Sequence, residues 1–243
     1  MTTMTEPAVR RWTNEEYHRM GDAGFFKDER VELIHGEIWL NTDQCSDHAQ
    51  LKPHSIEPIR LWTRDEYYRL GELGFFDGQR VELIAGEIFV MSPQHHRHFE
   101  CIDRIADVLK VVFGASCWVR LQGPIHIMNS DPEPDVSVVK GNRKDYTEHP
   151  TMALLAVEAS SSSLDRDHVQ KTSLYASAGI LDYWIVNLID RQLEVFREPV
   201  RDAALPFGWN YASRTVLHAG DTVSPLAAPQ SSIPVADLLP RMM

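Results

Sequence analysis

Apolar residues recur at three- and four-residue intervals from His98 to Phe113: Ile102, Ile105, Ala106, Leu109 and Val112 share one face, and Gly114 follows. That spacing predicts an amphipathic helix with a glycine stop. Downstream, CWVRLQGPIHI, PDVSVV and LLAVEAS are short runs rich in Val, Leu and Ile, separated by Asn, Asp, Gly and Pro, and they read as strands. HVQKTSLYASAG predicts a second helix ended by Gly179, and DYWIVNLIDRQLEVF predicts two strands joined at a turn near Asp190. The remainder, rich in Pro, Ser and Ala, closes the domain. Helices interleaved with strands make the expected class α/β.

Upstream lies an internal repeat. VRRWTNEEYHRMGDAGFFKDERVELIHGEIWL, from Val9 to Leu40, returns as IRLWTRDEYYRLGELGFFDGQRVELIAGEIFV, from Ile59 to Val90, matching at 18 of 32 positions with a constant offset of 50. Two copies are too few for a solenoid, so the pattern reads as a local duplication. Thr13 precedes Glu16, and Thr63 precedes Glu66, by the three residues of a capping box, so a short helix starts in each copy. Gly21 with Gly24, and Gly71 with Gly74, break those helices, and RVELIxGEI then predicts a strand, a glycine turn and a strand. Only the second copy runs straight on into the strands and helices described above. The first ends in NTDQCSDHAQLKPHSIEP, a polar, proline-containing linker. The expected organisation is therefore an appendage at 1–50, a partial duplicate of 59–90, followed by one domain over 59–243. Trp12, Phe25 and Phe26 are then expected to pack against a sheet edge or a neighbouring subunit.

With 243 residues, 43% of them hydrophobic, the chain has ample material for a core. Its start lacks the apolar stretch of a signal peptide, and no run approaches the roughly 18 apolar residues of a membrane span, so a soluble, cytoplasmic protein is expected. Cys45, Cys101 and Cys117 form no CxxC pair and suggest neither a disulfide framework nor structural zinc. A formal charge of −11 argues against a broad basic surface for nucleic acid. It leaves room for an enzyme that meets nucleic acid through a local rim or a bound metal.

The residues that carry chemistry stand out against apolar surroundings. Asp135 follows a proline at the start of one predicted strand, and Glu158 ends another. A carboxylate inside an apolar strand costs desolvation energy unless it has a cation or donors. Two of them suggest either a shared Mg²⁺ or a pair of strand-end acids facing water. Lys171 lies 13 residues beyond Glu158 on the predicted helix, with Tyr175 one turn later on the same face. It either reaches the carboxylates, where an amine orients water and stabilises phosphoryl charge, or is a solvated helix lysine.

EPDVSVV, VEASSSSLDRDHVQK and LYASAGILDYWIV together resemble the Uma-type restriction endonuclease family of the PD-(D/E)XK nuclease superfamily. RVELIAGEIFVMSP, LQGPIHI, VFREP and VSPLA extend the resemblance over roughly 59 to 240. It implies a restriction-endonuclease-like core, a mixed sheet flanked by helices, with metal held by Asp135 and Glu158. The superfamily's usual lysine position, two residues after the acid, is Ser160 here, and the resemblance implies that Lys171 takes over from the helix. Asp167 and Tyr175 also fall on family positions, as do His98 and Gln122, which are expected to line the pocket; the alternative for His98 is a solvated HHRH cluster at a helix start, whose spacing does not suit zinc. Glu82 or Glu87 of the second hairpin is a further candidate ligand, Glu82 the favoured one. Alternatively these acids are exposed, with Arg80 pairing one of them in water. Glu32 and Glu37 of the first copy have no downstream partners, so that copy is not a second active site.

The expected activity is Mg²⁺- or Mn²⁺-dependent cleavage of DNA, with a homodimer as the natural assembly for cutting both strands. The alternative, favoured by the acidic charge and by Ser160, is a catalytically inactive dimeric nuclease-fold protein with a binding or regulatory role.

Overall fold

The computed structural model describes residues 7–41, 58–93, 95–161 and 163–241; most of the linker expected after the first copy, with Cys45, lies outside them. The chain divides into two compact units, Ala8–Met91 and Ser92–Met243. This moves the boundary expected at 59. The second copy belongs with the first.

In the Ala8–Met91 unit, β1 (Ala8–Val9), α1 (Asn14–Asp22), β2 (Val31–Ile34) and β3 (Glu37–Leu40) come from the first copy. The second contributes α2 (Arg64–Glu72), β4 (Val81–Ile84) and β5 (Glu87–Val90). Both helices begin on capping boxes, with Thr13 and Thr63 as N-caps. Both hairpins turn through two left-handed residues, His35 (φ 50°) with Gly36 (φ 82°) and Ala85 (φ 53°) with Gly86 (φ 82°). This is the two-residue turn whose twist matches that of the strands. Glycine is required twice over at 86, because a Cβ there would also sit 2.8 Å from that of Leu61.

Each copy is apolar on one side only, and the two sides bury one another. Trp12, Met20, Phe25 and Ile38 share a core with Trp62, Tyr67, Leu70 and Phe75. The Trp12 and Trp62 rings lie 5.3 Å apart. Phe25 faces Phe75 at 6.4 Å, while Phe26 stacks on Tyr17 of its own copy at 5.4 Å. The sheet edge or neighbouring subunit expected for these aromatics is thus replaced by the second copy. Arg60 is buried, lies over the Trp62 ring, pairs with Glu66 and Glu29, and donates to the Phe25 carbonyl. Burial acts to raise the Glu66 carboxyl, but the hydrogen bonds from Arg60 and Thr63 and the Arg60 charge outweigh it and hold it below its usual value.

In the Ser92–Met243 unit, α3 (His96–Phe113) precedes β6 (Cys117–Leu121), β7 (Val136–Lys140) and β8 (Leu155–Ser160). The second helical segment is α4 (Leu164–Arg166), a π-helical turn over Asp167–Lys171, and α5 (Thr172–Ser177). Then come β9 (Asp182–Asn187), β10 (Gln192–Arg201), β11 (Trp209–Leu217), the short pair β12 (Thr222–Val223) and β13 (Ile233–Pro234), and α6 (Val235–Leu238). The six-stranded sheet runs β11-β10-β9-β8-β7-β6, antiparallel throughout except for the parallel pair β8–β9, so the sheet is mixed. Alternation along the strands divides the side chains between two faces. Val136, Val138, Leu155, Val157, Trp184 and Val195 form one core with Ile102, Ile105 and Leu109 of α3. Ala156, Glu158 and Ser160 point to the opposite face.

Three expectations change in detail. CWVRLQGPIHI is strand only to Leu121, because Gln122 turns left-handed (φ 47°) and Pro124 follows. Glu158 does not end its strand but lies inside it, two residues before Ser160. The closing segment includes nine-residue β11, a full edge strand. Cys101 and Cys117 are free thiols, and among the described residues no helix is long and apolar enough to cross a membrane.

Arg60→Met strips Glu66 and Glu29 of their partner and leaves the Phe25 carbonyl buried without this donor. We expect a loss of about 2–3 kcal/mol in urea unfolding of the full chain. The pH response carries the sign. Glu66 titrates below its usual 4.5 in the folded state, so its contribution is present above that value and fades as pH falls through the lower folded value. The substitution flattens that acid limb, and an unchanged limb would contradict the role of the pair.

Candidate active site

The antiparallel register of β7 and β8 pairs Val136 with Val157, which sets Asp135, just before β7, opposite Glu158. Asp135, Glu158 and Lys171 are each less than a tenth exposed. The alternatives of solvent-facing acids and a solvated lysine are therefore excluded. The Asp135 carboxylate crosses to β8, where its Oδ2 accepts the Ala159 N–H at 2.9 Å. Its Oδ1 lies 3.4 Å from both His98 Nε2, in the first turn of α3, and Gln122 Nε2, at the left-handed turn after β6.

Lys171 closes the π-helical turn and Tyr175 follows one turn on. Both donate to Glu158 Oε1 at 2.9 Å, from Nζ and from the phenol. Single π-helical turns inside helices are frequent at functional sites, and here one sits where the amine leaves the helix. The same turn carries Asp167, fully enclosed, whose Oδ2 accepts the Ser163 hydroxyl at 2.8 Å while the Ser160 and Ser163 hydroxyls lie 3.3 Å apart. Its carbonyl accepts Thr172 Oγ1 and Tyr183 Oη, which ties the turn to β9.

Charge divides the acids. Burial acts to raise Asp135, yet His98, the Ala159 N–H and the Lys171 charge hold it below the usual carboxylate range. Burial pushes Glu158 up to about 8, against the pull of Lys171 and with the repulsion of Asp167 and Asp135 added. Asp167 is raised for the same first reason. Three buried carboxyls thus face one buried amine, an excess of acid that a bound cation would offset.

Sequence reasoning brought forward eight residues that this unit gathers: Asp135, Glu158, Lys171, His98, Gln122, Ser160, Asp167 and Tyr175. It missed Ser163, the Ala159 amide and Tyr183, because a run of serines does not mark which one turns inward and an amide leaves no trace in a sequence. Glu82 is fully buried within β4 of the other unit, so the exposed alternative fails for it. Glu87 is half-buried, pushed up by burial and by the Glu37 charge.

As a donor set, Asp135 and Glu158 offer hard oxygens, and Glu158 takes both the Lys171 and Tyr175 hydrogen bonds on one of its two. Among the described residues no three His, Cys, Asp or Glu side chains gather to cage a metal. Two carboxylates suit Mg²⁺ or Mn²⁺, which keep several waters, better than zinc.

Comparison with known proteins agrees with this architecture. A crystal structure of a putative nuclease belonging to DUF820 from Anabaena variabilis superimposes with a TM-score of 0.53, covering 72% of this chain and 96% of that one at 16% identity. At that identity the likeness speaks for the fold. No curated protein matches the chain. The profile of the family Uma2, described as "Putative restriction endonuclease", matches residues 64–236. That span is well over half of the sequence and runs through every acid of the site, and the chain belongs to the Uma2 family.

Proposed function

We propose that the protein is a divalent-metal-dependent endonuclease that hydrolyses phosphodiester bonds of DNA, with Asp135 and Glu158 holding Mg²⁺ or Mn²⁺ and Lys171 positioning the attacking water. The observation that carries this reading is the buried pair of facing carboxylates with the Lys171 amine 2.9 Å from one of them. When bound, the metal supplies a Lewis acid for the phosphate and the positive charge that Glu158 needs in order to ionise.

The protein's own residues supply orientation. His98, Gln122 and the Ala159 amide fix the Asp135 carboxylate and favour its charged form. Tyr175 and Lys171 fix the Glu158 carboxylate through one oxygen, and neither of these bonds occupies the other. An ammonium in this position directs a water by hydrogen bond and stabilises negative charge developing on phosphoryl oxygens. A non-catalytic binding role is the second reading, and the net charge of −11 favours it.

Supercoiled plasmid with Mn²⁺ or Mg²⁺ separates the two. We expect wild type to nick it, Glu158→Gln and Lys171→Met to slow nicking by about 100-fold or more, and EDTA to abolish it. Equal cutting by wild type and Glu158→Gln would remove the mechanism. Tyr175→Phe probes the support around Glu158. Loss of one buried hydrogen bond to a carboxyl costs about 1–2 kcal/mol, read as a thermal midpoint lower by about 2–6 °C. An unchanged midpoint would show that the phenol does not hold Glu158.

A further inference from the structure

The contacts between the two copies are reciprocal. The Arg10 N–H donates to the Ile88 carbonyl at 2.7 Å, and the Arg60 N–H donates to the Ile38 carbonyl at 2.7 Å. The Arg10 guanidinium reaches the Phe75 carbonyl and that of Arg60 reaches Phe25. Arg19 donates to the Leu73 carbonyl, and Arg69 to that of Ala23. Val9 pairs with Phe89 across β1 and β5, as Ile59 bridges to Trp39. Adding 50 to one partner and subtracting 50 from the other turns each contact into its counterpart.

A small cavity of about 30 Å³ obeys the same rule, since it is lined by Val9, Arg10, Trp12, Glu37, Ile38 and the five residues 50 positions further on. Trp12 against Trp62 is the self-pair of this relation. Such contacts define an isologous interface, the kind that joins two identical subunits about a twofold axis. Here both halves lie on one chain.

The family match begins at Arg64, inside the second copy, and leaves the first copy outside it. A single copy would present Trp62, Leu70 and Phe75 as an open apolar face whose complement is itself. We propose that the first copy is a built-in partner that closes the self-pairing face of the second, so that the full chain is a monomer carrying a single endonuclease-like site. Covalent linkage makes the internal pair far more favourable than pairing between chains, through an effective concentration on the order of millimolar. The homodimer expected for cutting both strands gives way to this arrangement. The inference does not depend on whether the site cuts, and its readout is mass.

Light scattering on the full chain over a wide range of concentration is expected to return 27.8 kDa, and twice that mass would overturn the proposal. Trp12→Asp opens the pair from the first copy alone and leaves Trp62 intact. The freed second copy then pairs with that of another chain, and the mass doubles. Adding Trp62→Asp restores the monomer. A Trp12→Asp chain that keeps its circular dichroism spectrum and remains a monomer contradicts the proposal. If that variant does not fold, the wild-type mass decides alone.

Discussion

The endonuclease-like unit depends on how it keeps Glu158 in its interior. A carboxyl in the middle of an apolar strand is costly, and the surrounding structure is arranged to meet that cost. Lys171 and Tyr175 come to it from one side because they stand four residues apart, one helical turn, on the same face of the segment after β8. The alternation of β8 then gives Val157 and Ala159 to the α3 core while Glu158 and Ser160 face the polar cluster. The partners only partly compensate, since the acid is left with its proton affinity raised. A site poised in this way gains from a further positive charge, and that link joins the packing to the proposed chemistry.

Asp135 sits under the opposite influence. It faces Glu158 through strand register, yet it is supplied with donors and remains the ionised member of the pair. Two acids brought together by one ladder, with their proton affinities driven apart, are a recurrent way for a fold to assign different tasks to like groups. Asp167 adds negative charge behind them and anchors the turn that carries Lys171.

Much of this was legible in the sequence wherever local chemistry decided the outcome. The Thr13 and Thr63 capping boxes, the Gly36 and Gly86 turns and the apolar stripe of α3 each act within a few residues, and all form as expected. What depends on pairing was hidden. Asp135 and Glu158 are 23 positions apart, and only the β7–β8 register makes them neighbours. Strand β11 escaped notice because, at the sheet edge, it lacks a clean alternation: Ala212, Arg214, Thr215 and Val216 are all exposed and only Tyr211 is buried. The partner of the first copy was also out of reach. Its pattern shows one apolar side, but many surfaces could cover such a side, and only the structure identifies the second copy as the cover.

Whether the facing carboxylates form a metal site is tested most directly by calorimetric titration of the full chain with Mn²⁺. Saturable binding at millimolar or tighter affinity is expected in the wild type, and its disappearance in Asp135→Asn. Wild-type protein that takes up no metal, or binding that survives Asp135→Asn unchanged, would contradict such a site.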